Sequence, residues 1–112
     1  MGKRYCYALD LKPDAALISA YEEHHKAVWP EILDMMAAAG ISQMQIYRVE
    51  NRLFMIMDTR DDFNMDHKIA IEKANPISEK WEQLMWKYQQ AIPGTVEGGK
   101  WREMKLIFDH SC

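Results

Sequence analysis

Five apolar residues in a row, Leu53-Phe54-Met55-Ile56-Met57, limit most narrowly what this chain can become. A strand with one wet face alternates between apolar and polar residues. A strand apolar on both faces is covered on both and runs through the middle of a sheet. At 112 residues the chain predicts one domain, 1–112, with helices enough to cover one face of such a sheet. The other face is expected to meet a second subunit, in keeping with the symmetry of small soluble proteins.

The flanking segments fit that centre. Residues 3–11 alternate, with Tyr5, Tyr7, Leu9 and Leu11 on one side and Cys6, Ala8 and Asp10 on the other, which predicts a strand. Residues 41–49 repeat the pattern, Met44, Ile46 and Arg48 against Gln45, Tyr47 and Val49, and residues 101–108 predict a last strand. Between them the period changes. Leu17, Ile18, Tyr21, His24 or His25, and Val28 recur every three or four residues, predicting an amphipathic helix over 15–28. Pro13 suits its first turn, and Asp14 is favoured there by the helix dipole. Pro30 has no N–H and its ring collides with the preceding turn, so it predicts a kink or a fresh start with Pro30 in the first turn. The helix then runs through Ile32, Leu33, Met35 and Met36 to Gly40, placed for a left-handed C-cap. Residues 65–73 predict a short helix, Asn75-Pro76 a break, residues 77–91 another helix and residues 93–99 a loop. The order β-α-β-β-α-β is the split βαβ of ferredoxin-like α+β domains, with an antiparallel sheet.

Charge and motif content exclude several functions. The net charge of -3 is interspersed, with no basic stripe, which argues against nucleic acid. No apolar run approaches the roughly 20 residues that span a bilayer. The N-terminus lacks the apolar core of a signal peptide, so a cytoplasmic location is expected, with no membrane partner. Cys6 and Cys112 could pair, but two thiols in such a chain fit a reducing compartment. Nine methionines predict an adaptable core or an apolar surface covered by a partner. Glycine-rich phosphate loops, G-x-S-x-G and C-x-x-C are all missing from the sequence. Histidines 24, 25, 67 and 110 contain no i, i+4 pair suited to a helical zinc site. Cys6 reads as a strand residue, since a nucleophile would need a partner that spacing does not supply.

Tyr21 and His25 are one turn apart on the same helix face, as are His25 and Trp29. An imidazole titrating near 6.5 both gives and takes a proton at neutral pH, and a neighbouring tyrosine can orient it or bond a ligand hydroxyl. The competing reading is a half-buried histidine completing an amphipathic face. Spacing does not choose between His24 and His25.

Larger blocks carry a resemblance. Pro13, then Tyr21-x-x-x-His25-x-x-x-Trp29-Pro30-Glu31, then Gly40 ahead of a strand ending Ile46-Tyr47, is similar to the L-rhamnose mutarotase family. So are Asn51-Arg52-Leu53-Phe54, Trp81-x-x-x-Met85, Ile92-Pro93 and Met104-x-x-Ile107-Phe108, and the similarity covers residues 3–108. The resemblance implies a homodimeric α+β barrel and cofactor-free interconversion of the α and β anomers of a 6-deoxyhexose. It implies a proton-donating histidine at His25 and a sugar-contacting tyrosine at Tyr21. Two departures stand out: Met44 occupies the place of a second sugar-contacting tyrosine, and Trp81-Glu82 that of a tandem tryptophan pair. This variant pattern looks like family members linked with L-fucose, so both L-rhamnose and L-fucose are expected substrates. Trp81 offers an apolar face for the sugar's methyl and C–H side, or else packs the second helix. Glu82, Tyr47 and Asp58 are candidate partners for ring hydroxyls or the second proton, each with a structural or solvent-facing alternative. Two other functions fit the same architecture, a small monooxygenase and a non-catalytic sugar-binding module.

Overall fold

A computed structural model of the chain describes residues 2–96 and 99–110. Its elements are β1 (Arg4–Leu11), α1 (Ala15–His25), α2 (Pro30–Ala38), β2 (Ile41–Val49), β3 (Arg52–Thr59), α3 (Met65–Ala74), α4 (Pro76–Trp86), β4 (Gln89–Gln90) and β5 (Arg102–Glu103). The strands form one antiparallel sheet in the order β2-β3-β1-β4, with β5 also on β1. The doubly apolar strand, β3, is flanked by β1 and β2, as its composition requires.

Period-two alternation sorts the sheet into two faces. Leu9 and Leu11 of β1 and Leu53, Met55 and Met57 of β3 are buried toward the helices. Leu11 and Leu53 share a core with Tyr21, Ile32, Met35, Trp81 and Met85. On the opposite face Phe54 and Ile56 stay half-buried, while Tyr47 and Val49 are exposed. Two cross-strand ion pairs bracket this apolar patch, Arg4 with Asp58 at 2.8 Å and Arg52 with Asp10 at 2.7 Å.

Helix ends depart from the sequence expectation in three places. Asp14 is the N-cap of α1, its carboxylate accepting from the Leu17 N–H at 3.0 Å, so Pro13 precedes the cap instead of entering the first turn. α1 stops at His25 and not at Val28. A proline disfavours the α conformation in the residue before it. Trp29 accordingly takes ψ 132°, and Pro30 opens α2 at its first position, the fresh start rather than the kink. α2 ends as expected: Gly40 has φ +94° after the C-cap Ala39. α4 ends at Trp86 and not near Ala91, because the chain turns to pair with β1: the Lys12 N–H donates to the Tyr88 carbonyl at 2.8 Å, and Gln89 and Gln90 join the sheet.

The last strand differs most. Of residues 101–108 only Arg102–Glu103 forms a strand, extended by the Met104 N–H donating to the Cys6 carbonyl at 2.7 Å. In this register Arg4, the first residue of β1, would face Leu106, so β1 offers no partner to Ile107 and Phe108. Leu106, Ile107 and Phe108 are left 75%, 88% and 77% exposed. Among the described residues, no helix is long and apolar enough to cross a membrane. Cys112, weighed as a partner for Cys6, lies outside the described residues.

Candidate active site

A cavity of about 620 Å³ opens between the helical layer and the sheet face that the helices cover, within the size range of small-molecule sites. Its sheet side is set by a bulge. Ile41 pairs with Thr59 and Gln43 with Asp58, leaving Ser42 as the extra residue. Ile41, Met44, Ile46 and Arg48 therefore all face the cavity, opposite Met57, Met55 and Leu53. The helices contribute Tyr21 and His25 from α1 and Trp81 and Glu82 from α4. Gln89 enters from β4, and Lys100 and Trp101 from the segment before β5.

His25 occupies the last turn of α1, where its Nδ1 lies 3.0 Å from the Tyr21 carbonyl oxygen. A carbonyl only accepts, so Nδ1 carries the proton, and in the neutral ring Nε2 is left with a bare lone pair. Burial pushes the imidazole below its ordinary 6.5; the bond to the Tyr21 carbonyl opposes that shift and the neighbouring His24 adds to it. The ring at neutral pH is thus uncharged, with Nε2 ready to take a proton.

Tyr21 stacks obliquely on His25, with centroids 4.4 Å apart, and is 3% exposed. Its hydroxyl accepts from Gln89 Nε2 at 3.2 Å. Burial pushes the phenol up to about 12, against the bond from Gln89 and with the charge of Glu82 adding to the rise. Tyr21 therefore keeps its proton near neutral pH. Trp81 meets the His25 ring edge-on at 5.8 Å and Trp29 edge-on at 5.0 Å. His25 thus packs against both Tyr21 and Trp81. Trp81 packs in the core and also walls the cavity.

Charged pairs edge the cavity. Arg48 Nε donates to Glu22 Oε2 at 2.6 Å, and Lys100, its side chain 14% exposed, pairs through its ammonium with Glu82. Burial lowers the Lys100 pKa, and Glu82 opposes the shift. Glu82 is half exposed, which places it at the mouth of the cavity and not in its depth.

The structure thus brings Tyr21, His25, Trp81, Glu82 and Met44 to one cavity. Tyr47 does not join them. It alternates with Met44 and Ile46 along β2, so its ring lies on the far face of the sheet, 6.5 Å from that of Phe54. Asp58 is also on that face, held by Arg4, whose guanidinium keeps its carboxyl below the usual range. His24 turns away toward Tyr88, with Nε2 3.1 Å from the hydroxyl, so the structure separates the two histidines that spacing could not. Sequence reasoning missed Gln89, Arg48, Lys100 and Trp101. Arg48 was recoverable, since it shares its parity with Met44 and Ile46. The other three lie where the expected helix and strand boundaries were misplaced.

The chain thus combines a ferredoxin-like α+β sheet with an aromatic, histidine-bearing pocket under its helices. The chain belongs to the L-rhamnose mutarotase family, whose family model matches residues 4–110. It is 44% identical to the L-fucose mutarotase of Xanthomonas campestris pv. campestris, over 95% of this chain and 86% of that one. It is 27% identical to the L-rhamnose mutarotase of Brucella anthropi, over 84% and 81%. The crystal structure of the L-rhamnose mutarotase from Formosa agariphila superposes with a TM-score of 0.71 at 21% identity, over 97% of this chain and 99% of that one. A dimeric ferredoxin-like protein from an uncultured marine organism shares the fold with a TM-score of 0.57 at 13% identity, over 98% and 93%.

Proposed function

We propose that this protein is a mutarotase that interconverts the α and β anomers of a 6-deoxy-L-hexose, L-fucose ahead of L-rhamnose, with His25 as the acid/base group. The observation that carries the reading is the His25 tautomer: a buried, neutral ring with Nδ1 tied to the Tyr21 carbonyl and Nε2 unoccupied, in a cavity walled by Trp81. In the ring-opening half, Nε2 takes the proton of the anomeric hydroxyl as the C1–O5 bond breaks, C1 becomes a carbonyl, and O5 accepts a proton from a donor in the pocket. The C1–C2 bond rotates. In the closing half O5 attacks the other carbonyl face and returns its proton, and His25 gives its proton back to O1. The implied proton donor is thus an acceptor first. General acid–base action of this kind contributes about 10²–10⁴-fold.

L-Fucose is placed first because the relative at 44% identity carries that name, whereas the L-rhamnose mutarotase of Brucella anthropi stands at 27%. The departures at Met44 and Glu82 from the rhamnose pattern agree. The family match favours this reading over a monooxygenase or a non-catalytic module. The protein acts as a homodimer in the cytoplasm: Phe54, Ile56 and the projecting Leu106, Ile107 and Phe108 form an apolar surface that a second copy would cover.

The test is NMR exchange between the two anomeric proton signals of L-fucose, L-rhamnose and D-glucose at catalytic protein concentration. Exchange is expected to accelerate for the two deoxy sugars, most for L-fucose. Unchanged exchange for both would overturn the assignment.

A further inference from the structure

Gln89 is the one place among the described residues where a buried side-chain polar atom has no partner. It is 3% exposed and lines the cavity. Its Nε2 donates to the Tyr21 hydroxyl, while its Oε1 is buried and bonded to nothing. Turning the amide over does not cure this. Oε1 would then accept from the Tyr21 O–H, and the two Nε2 donors would be left without an acceptor. In either orientation one end is tethered to Tyr21 and the other is free. A buried amide end left unpaired is costly, and such groups in native proteins call for an explanation.

Sequence gives no ordinary reason for a glutamine here. Gln89 pairs in the sheet with Leu11, a core residue, and a leucine or methionine would fill the same place without an orphaned polar atom. Its position beside Tyr21, one turn before the proposed acid/base histidine on α1, supplies the explanation. We propose that Gln89 contacts the substrate: its amide, held at one end by Tyr21, presents the other end to a ring hydroxyl and reads whether that hydroxyl is there. This rests on the sugar-isomerase reading of the cavity. With Nε2 toward Tyr21, the Tyr21 proton remains available to a second sugar oxygen. Phenol and amide then form a donor–acceptor pair matched to two neighbouring hydroxyls. A site built to bond a hydroxyl discriminates strongly against the analogue lacking it, because the protein group is then left unpaired.

The test compares the parent with Gln89→Met, which keeps length and apolar packing, in the anomer-exchange assay. The substrates are the 6-deoxyhexose itself and its 2-, 3- and 4-deoxy analogues. A contact made equally in ground and transition states raises KM and leaves kcat nearly unchanged. About a ten-fold rise in KM is expected for the full sugar, the size of one hydrogen bond. For the one analogue lacking the contacted hydroxyl, parent and variant should converge. An equal loss for every analogue, or no loss at all, overturns the proposal. A second measurement needs no variant to fold: the Gln89 side-chain amide signals of the parent should shift as the sugar is titrated in, and immobile signals overturn the contact. If the parent accelerates no sugar, the isomerase reading fails, and this titration still decides whether Gln89 meets the ligand.

Discussion

The Nδ1–H of His25 is committed to the Tyr21 carbonyl, and that single bond decides which nitrogen keeps a bare lone pair. Because burial lowers the folded-state pKa below 6.5, the neutral, proton-accepting form persists through neutrality. The anomer-exchange rate plotted against pH should be flat near pH 7 and fall on an acid limb centred below 6.5. A limb at or above 6.5 would contradict the assignment. The same shift has a stability consequence. The unfolded chain takes up a proton at His25 at a higher pH than the folded one, so stability decreases as pH falls from 6.5 toward the lowered folded value. Melting temperatures of the parent and His25→Asn between pH 7 and 5 should show a shallower decline in the variant. Tyr21→Phe removes the hydroxyl that Gln89 bonds within the core. It should slow exchange about ten-fold and destabilise by about 1–2 kcal/mol, the cost of orphaning a buried polar partner, read by rate and by urea midpoint.

At the scale of elements, what the sequence made legible is what local chemistry controls. Pro30 ends one helix and opens the next because its ring acts on its immediate neighbours. Gly40 closes α2 because only glycine sits at φ +94° without strain. A Cβ there would meet Phe63 at ordinary contact distance, 3.5 Å, so the backbone alone sets the penalty. Gly40→Ala should therefore cost about 1–2 kcal/mol, lowering the melting temperature by roughly 5–10 °C for a domain of this size. Alternation along β2 had already put Met44 and Tyr47 on opposite faces, so one of the two candidates had to miss the cavity. The end of the chain was less legible. Residues 87–90 turn and pair briefly with β1, and residues 102–104 pair with it again, each step depending on a partner distant in sequence. Gln89, Lys100 and Trp101 entered the site by that route, and no local period signals it.

At the scale of the whole molecule, the sheet has one face filled by its own helices and one face unfinished. Ion pairs at both ends of β1 and β3 frame an apolar centre at Phe54 and Ile56, and the segment after Met104 leaves three large apolar side chains uncovered. Sedimentation should give twice the 13.2 kDa chain mass, and Ile56→Asp, which sets a charge in that centre, should return it to the single-chain value. A parent that sediments as one chain would contradict the dimer. On the proposed function, the folded protein speeds anomer exchange through one imidazole. The most direct test is the exchange rate between the L-fucose anomers, measured side by side for the parent and a His25→Asn variant with an unchanged circular dichroism spectrum. Acceleration by the parent and a loss of at least about a hundred-fold in the variant are expected; equal rates from the two proteins would contradict a role for His25.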